Sequence, residues 1–210
     1  MIDLQHARIN TAGAYVCMDG YYVFALGIKL HNGHIPIVRL GGHRERHETG
    51  WQCAVREVYE EANLPIRPLL SQTTYLSDWD RMEELQEIHW RHKSDQKPIP
   101  ILVVTYSREA SVHLSLMYLA QTQGFPIPSS EVKGLLLLKE EEIHRLCHEP
   151  MTLEHYLHGG GRAILHAEFD TSLFLEPFVQ LRLLSRILKI QSQARSHLCG
   201  MPPPSYDDVE

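Results

Sequence analysis

Basic excess is missing from this chain. The formal net charge is −6, which argues against nucleic-acid polymers as partners, since phosphate-backbone binding relies on dense Lys and Arg. Cysteine is scarce too. Cys17, Cys53, Cys147 and Cys199 stand far apart with no CxxC pair, so neither a zinc cluster nor a disulfide framework is indicated. Reduced thiols in a cytoplasm are the simple expectation. No apolar run approaches the roughly 18 residues that span a bilayer, and the first residues lack a basic-then-apolar secretory pattern, so no membrane association is expected. No internal repeat is found. The composition is otherwise that of a globular protein, long enough at 210 residues for one full core. We expect a single domain over 1–195 and a disordered tail over 196–210.

The elements follow from the punctuation. Residues 12–18 and 21–30 read as strands joined by Asp19-Gly20, a strong hairpin signal. Asn32-Gly33 turns the chain into a third strand over 35–40, which delivers Gly41 and Gly42 to a loop. Further strands are predicted over 68–77, 99–107, 112–120 and from Val132 to Lys139. Short helices are predicted over Asp80–His89, 140–147 and 151–158, and a long one from Glu176 to Gln193. Strands interrupted by helices give an α/β class, with helices on both sides of a sheet.

One stretch, Gly41–Leu64, organises the rest. Thr49 followed by Gln52 is a capping-box pattern, and Asn63 before Pro65 suits a left-handed helix end. Between them Trp51, Ala54, Val55, Val58 and Ala62 form one apolar face. Glu57, Glu60 and Glu61 flank that face, close enough to repel one another, while Arg56 can offset only one charge. Their ligand atoms are all oxygens, so a hard divalent cation is the natural counter-ion.

Written as G-x5-E-x7-R-E-U-x-E-E-x-G-U, with U aliphatic, the stretch resembles the signature of the Nudix hydrolase family. Gly42, Glu48, Arg56, Glu57, Val58, Glu60, Glu61 and Leu64 match it; Asn63 replaces the usual Gly, and Leu40 a common Pro. The resemblance implies an α/β/α sandwich with a mixed sheet, and hydrolysis of a nucleoside diphosphate linked to another moiety, a small-molecule substrate, with Mg²⁺ or Mn²⁺. It implies Glu60 and Glu61 as metal ligands, with Glu57 as a third ligand or as the group that orients or deprotonates water. The carbonyl of Gly41 would be a further ligand, Arg56 would hold the carboxylates, and Glu48 would join the loop network. Many members add a glutamate from a distant loop; Glu131 is the first candidate and Glu109 the second. Which nucleotide or diphosphate is cleaved is left open.

Other features are weaker. Arg39 and the patch His89–Lys93, with Trp90 and Arg91, are candidates for binding substrate, by charge and by ring stacking; an exposed loop is the plainer reading of the patch. His43 and His47 are not expected to bind metal. Gly159–Gly161 before Arg162 closes a helix more readily than it cradles phosphate. Arg182, Arg186 and Lys189 form a basic edge on the last helix, opposite Phe178, Leu181, Leu184 and Leu188, a face that is either packed or dimeric. Pro203-Pro204-Ser205-Tyr206 fits the short extended motif that WW modules bind. The competing functional reading is a nucleotide-sensing regulatory or binding protein of the same fold without turnover; a scaffold acting through the last helix and tail is a third.

Overall fold

Both turn pairs adopt the backbone that their residue types permit. In the computed structural model Asp19 and Gly20 have φ of 48° and 82°, the mirror-image turn that matches strand twist. It joins Arg8–Met18 (β1) to Tyr21–Leu26 (β2) with Val16 opposite Val23. Asn32 and Gly33, with φ of 50° and 79°, lead into Ile35–Val38 (β3), antiparallel to β2. The structure describes residues 4–27, 29–81, 84–93, 95, 97–108, 111–166 and 170–199. Glu109 and the motif Pro203–Tyr206 lie outside them.

Gly41 and Gly42, expected in a loop, belong to a short strand. Leu40–His43 (β4) pairs antiparallel with β1, Gly13 facing Gly41. The run predicted over 35–40 breaks at Arg39, and the two glycines explain the new pairing. A Cβ on Gly13 would come within 2.3 Å of the Leu40 carbonyl, and one on Gly41, whose φ is 143°, within 2.4 Å of the Gly13 Cα. Only bare backbone lets these chains approach.

Gly50–Ala62 forms α1 as predicted. Arg67–Pro68 (β5) and Thr74–Asp78 (β6) follow, then a single 3-10 turn at Trp79–Arg81 and a strand, Gln86–Ile88 (β7). The helix expected over Asp80–His89 does not form among the described residues. Asp78 accepts the Asp80 N–H at 3.0 Å and caps one turn only. Thr74–Leu76 then recruits Gln86–Ile88 as an antiparallel edge, giving its backbone partners that a helix without an apolar stripe could not offset by packing.

The remaining elements are Leu102–Arg108 (β8), Ser111–Gln121 (β9), Gly134–Leu138 (β10), Glu140–His148 (α2), Leu153–His158 (α3), Arg162–Leu165 (β11), Leu175–Pro177 (β12) and Val179–Cys199 (α4). β11 and β12 were not expected. The last helix starts at Val179 rather than Glu176 because Leu175–Pro177 pairs in parallel with Ile35–Ile37 first. The sheet runs β11-β10-β2-β1-β9-β8-β6-β7, with β3 and β12, β4, and β5 attached beside it. The pairs β1–β9, β6–β8 and β3–β12 are parallel and the rest antiparallel, so the sheet is mixed.

Alternation sorts the core into layers. Tyr15, Phe24, Leu136 and Leu138 face α2, α3 and α4 through Ile143, Leu146, Leu153, Tyr156, Leu181 and Leu184. Ala14, Val16, Val23, Ala25 and Leu135 point the other way, to Val58 and Ala62 of α1. This is the expected α/β/α sandwich. The apolar face of α4, including Leu181, Leu184 and Leu188, is spent on the protomer's own core, and the Tyr15 hydroxyl donates to the Gln180 carbonyl at 2.7 Å. A homodimer would therefore need another surface. No described helix is long and apolar enough to cross a membrane.

Candidate active site

α1 is held at both ends. Thr49 Oγ1 accepts the Gln52 N–H at 3.1 Å, and Gln52 Oε1 accepts the Thr49 N–H at 2.8 Å. A second anchor has no local signal. The carboxylate of Asp95, almost wholly buried, accepts the Gly50 N–H in a short hydrogen bond and the Tyr118 hydroxyl at 3.1 Å. Any Cβ on Gly50 would strike Tyr118 and Asp95. Burial pushes the Asp95 carboxyl up, opposed by those two donors; the positive end of the helix favours the anion as well. At the far end Asn63 has φ 52° and its N–H reaches the Tyr59 carbonyl. The carbonyls of Ala62 and Glu61 accept the N–H groups of Ile127 and Ser129 at 2.9 and 3.0 Å. That strap brings Glu131 into electrostatic range of Glu61.

Along the middle of α1 one guanidinium gathers the acids. Arg56 donates to both oxygens of Glu48 at 2.7 and 3.1 Å, and through Nη1 to Glu57 and to Glu60, each at 2.8 Å. Its Nη2 also reaches the His43 carbonyl at 3.0 Å. The Arg56 hydrogen bonds hold the Glu48 carboxyl below the usual range. Glu57 lies directly over Gly42, where a Cβ would come 2.3 Å from its carboxylate oxygen. Bare backbone at Gly42 makes room for that side chain.

Glu61 faces away from Arg56 and accepts the Gly41 N–H at 2.8 Å. Burial pushes its carboxyl up to about 7, with Glu57 and Glu131 adding to the rise, while the Gly41 N–H and Arg39 oppose it. Arg39 threads the gap left by Gly13 and Gly41, donates to the Ala12 carbonyl at 3.2 Å, and interacts electrostatically with Glu61 and Glu57. Burial pulls the Arg39 guanidinium down, and those acids push it back up.

Glu48, Glu57 and Glu60 thus share the Arg56 guanidinium, Glu61 and Glu57 feel Arg39, and Glu131 stands in electrostatic range of Glu61. The donor chemistry fits a hard divalent cation. The arrangement is not closed around one: among the described residues no group of three His, Cys, Asp or Glu side chains is set to hold a metal ion. Glu57 and Glu60 are turned to Arg56, and Glu61 to Gly41, so ligation would draw carboxylates away from those partners.

The sequence candidates divide accordingly. Gly41, Arg56, Glu57, Glu60, Glu61 and Arg39 lie together through hydrogen bonds and charge, and Glu131, exposed, reaches Glu61 electrostatically. Trp90 packs beside Cys53, Ala54 and Tyr118 near the start of α1, its indole N–H donating to the Asp95 carbonyl at 2.8 Å and its ring stacked on His92. Arg91, His43 and His47 are exposed. Gly159 ends α3, and Gly159, Gly160 and Arg162 line a separate cavity with Tyr21, Lys139 and Arg145. A cavity of about 460 Å³ that spacing did not reveal adjoins Arg39; Thr11, Trp79, Tyr106, Ser115 and Gln180 also line it. These residues come from separate strands, a turn and α4, so no local pattern could have joined them.

Comparison with known proteins gives a family. The family model of the NUDIX domain matches residues 28–157. No curated protein matches the chain. Similar solved structures include a NUDIX family hydrolase from Clostridium perfringens, at 21% identity over 65% of this chain and 83% of that one, with a TM-score of 0.44. A MutT NUDIX hydrolase from Burkholderia pseudomallei gives 18%, 72%, 95% and 0.39 in the same order. An Ap4A hydrolase binary complex from C. elegans gives 15%, 63%, 81% and 0.41. The assignment rests on the domain model.

Proposed function

The chain belongs to the NUDIX family, enzymes that act on phosphoric anhydrides, and from that premise we propose that it cleaves the pyrophosphate linkage of a nucleoside diphosphate joined to another moiety, using Mg²⁺ or Mn²⁺. The observation that carries this reading is the grouping of Glu57, Glu60 and Glu61 along α1, with Glu131 in electrostatic range of Glu61, where Arg56 and Arg39 offset the charge in part. A pyrophosphate bridge is itself an anion, and so many carboxylates would repel it. A bound divalent ion would neutralise the bridge and lower the pKa of a coordinated water.

The chain's own groups take the remaining tasks. Glu60 and Glu61, with the Gly41 carbonyl, would hold the metal, and Glu57 would be a third ligand or orient the water. Glu131, strapped to the end of α1, is the additional ligand or base. Arg56 is a positioning residue: it fixes the spread of Glu57 and Glu60 without needing to touch substrate. Arg39 would meet a substrate phosphate. Displacement at phosphorus depends mainly on such positioning and electrostatics. Keeping mutually repelling carboxylates favours turnover over ligand sensing, because a pure binder has no need of them. A cytoplasmic setting suits the free thiols of Cys17, Cys53 and Cys147.

The test is product release from a panel of nucleoside diphosphate derivatives with and without Mg²⁺. Metal-dependent turnover is expected for at least one member, together with its collapse in Glu60→Gln/Glu61→Gln. Turnover of that double variant at the wild-type rate would overturn the assignment.

A further inference from the structure

We infer that the cavity beyond Arg39 is a seat for the nucleoside's planar base, with Trp79 as its stacking surface and specificity-determining residue. The inference rests on the hydrolase reading only for the diphosphate that follows the base; the cavity itself is an independent observation. Trp79 is 46% exposed, whereas Trp51 and Trp90 pack against the clusters around α1. It stands on a built support. The Asp78 carboxylate accepts the Asp80 N–H at 3.0 Å and the Thr105 hydroxyl at 2.9 Å, tying the Trp79–Arg81 turn to β8. A large apolar ring held out at a cavity mouth leaves contact area that a ligand ring can cover.

The other walls suit the same guest. Tyr106 lines the cavity with one ring face stacked on His113, centroids 5.4 Å apart and planes 19° from parallel, so its plane is set by a cross-strand neighbour. The Thr11 and Ser115 hydroxyls, joined at 2.9 Å, and Gln180 add polar groups to the lining, which a heteroaromatic edge can use and a hydrocarbon cannot. A volume of about 460 Å³ falls within the usual range of small-molecule sites. Arg39 belongs both to this wall and to the carboxylate cluster. A base against Trp79 therefore directs its diphosphate past Arg39 toward Glu57 and Glu61.

Calorimetric binding of ADP and UDP, set against inorganic pyrophosphate, tests this without requiring turnover. Wild type should bind at least one nucleoside diphosphate about tenfold or more tightly than pyrophosphate, the effect of one base–aromatic stack. Trp79→Ala should erase that preference while leaving pyrophosphate binding unchanged, and Trp79→Phe should restore most of it. In turnover the Ala variant should raise KM for base-bearing substrates with kcat little altered, and leave tripolyphosphate kinetics as in wild type. A preference that survives Trp79→Ala, or a wild type that binds pyrophosphate as tightly as both nucleotides, overturns the inference. Turnover with no base preference would sink this inference and spare the hydrolase. A Trp79-dependent base preference without turnover of any substrate would do the reverse.

Discussion

The two halves of α1 handle acid in opposite ways. At its start the Asp95 carboxylate meets the Gly50 N–H and the Tyr118 hydroxyl, with the helix's positive end behind them. Each group has what it needs, and the cluster is closed by Trp51, Trp90 and Leu116. Further along, Glu57 and Glu60 share one guanidinium with Glu48, and Glu61 has one N–H and the nearby charge of Arg39. A carboxylate matched by fixed donors stabilises the fold; carboxylates in excess of their cations leave room for a ligand's charge. The first end is an anchor, and the second is the site we propose.

Breaking the second end should give the largest effect. Glu60→Gln/Glu61→Gln is expected to lower metal-dependent hydrolysis by a factor on the order of 10³, with an unchanged circular dichroism spectrum. Breaking the first should do the converse. Asp95→Ala strands the Gly50 N–H and the Tyr118 hydroxyl, so urea unfolding should show a loss of about 2–3 kcal/mol, while the rate per folded molecule stays near wild type. If Asp95→Ala reduced activity without reducing stability, the contrast between the two ends would fail.

Gly42→Ala sharpens the division. Its Cβ would meet the movable end of Glu57 rather than backbone, so stability should change by under about 1 kcal/mol while displacement of that carboxylate costs roughly tenfold in kcat. The smallest effect is expected at Glu48. Its carboxyl is held low chiefly by Arg56 hydrogen bonds. A depressed folded-state pKa contributes stability above the unfolded-state value and loses it as pH falls through the folded one. Wild-type Tm should thus drop on acidification below the ordinary Glu range of about 4.3. Glu48→Gln should flatten that limb slightly, since a pair this near the surface contributes a few tenths of a kcal/mol.

How much was legible depended on the range of the interactions. The helix 50–62 could be read because Thr49–Gln52 and Asn63 act within one turn, and its apolar stripe repeats at helical spacing. The hairpin at Asp19-Gly20 was legible for the same reason. The helix expected over Asp80–His89 failed because the competitor was an edge: β6 offered backbone partners that residues 86–88 could take only in the folded sheet. β12 likewise exists only against β3, and it delays the last helix to Val179.

Within the site, the acids on α1 and Arg56 were visible as a spaced motif, and Gly42's need for bare backbone became clear only once Glu57 was seen lying over it. Asp95, Trp79 and Tyr106 carried no such mark. They reach the N-terminus of α1 and the cavity beside Arg39 from separate strands and loops. By itself the sequence determined which residues carry charge along one helix, where that helix begins and ends, and which faces are apolar, since these follow from neighbours a few positions apart. Tertiary structure alone decided which acid is matched and which is left in excess, because that balance depends on donors brought from far along the chain.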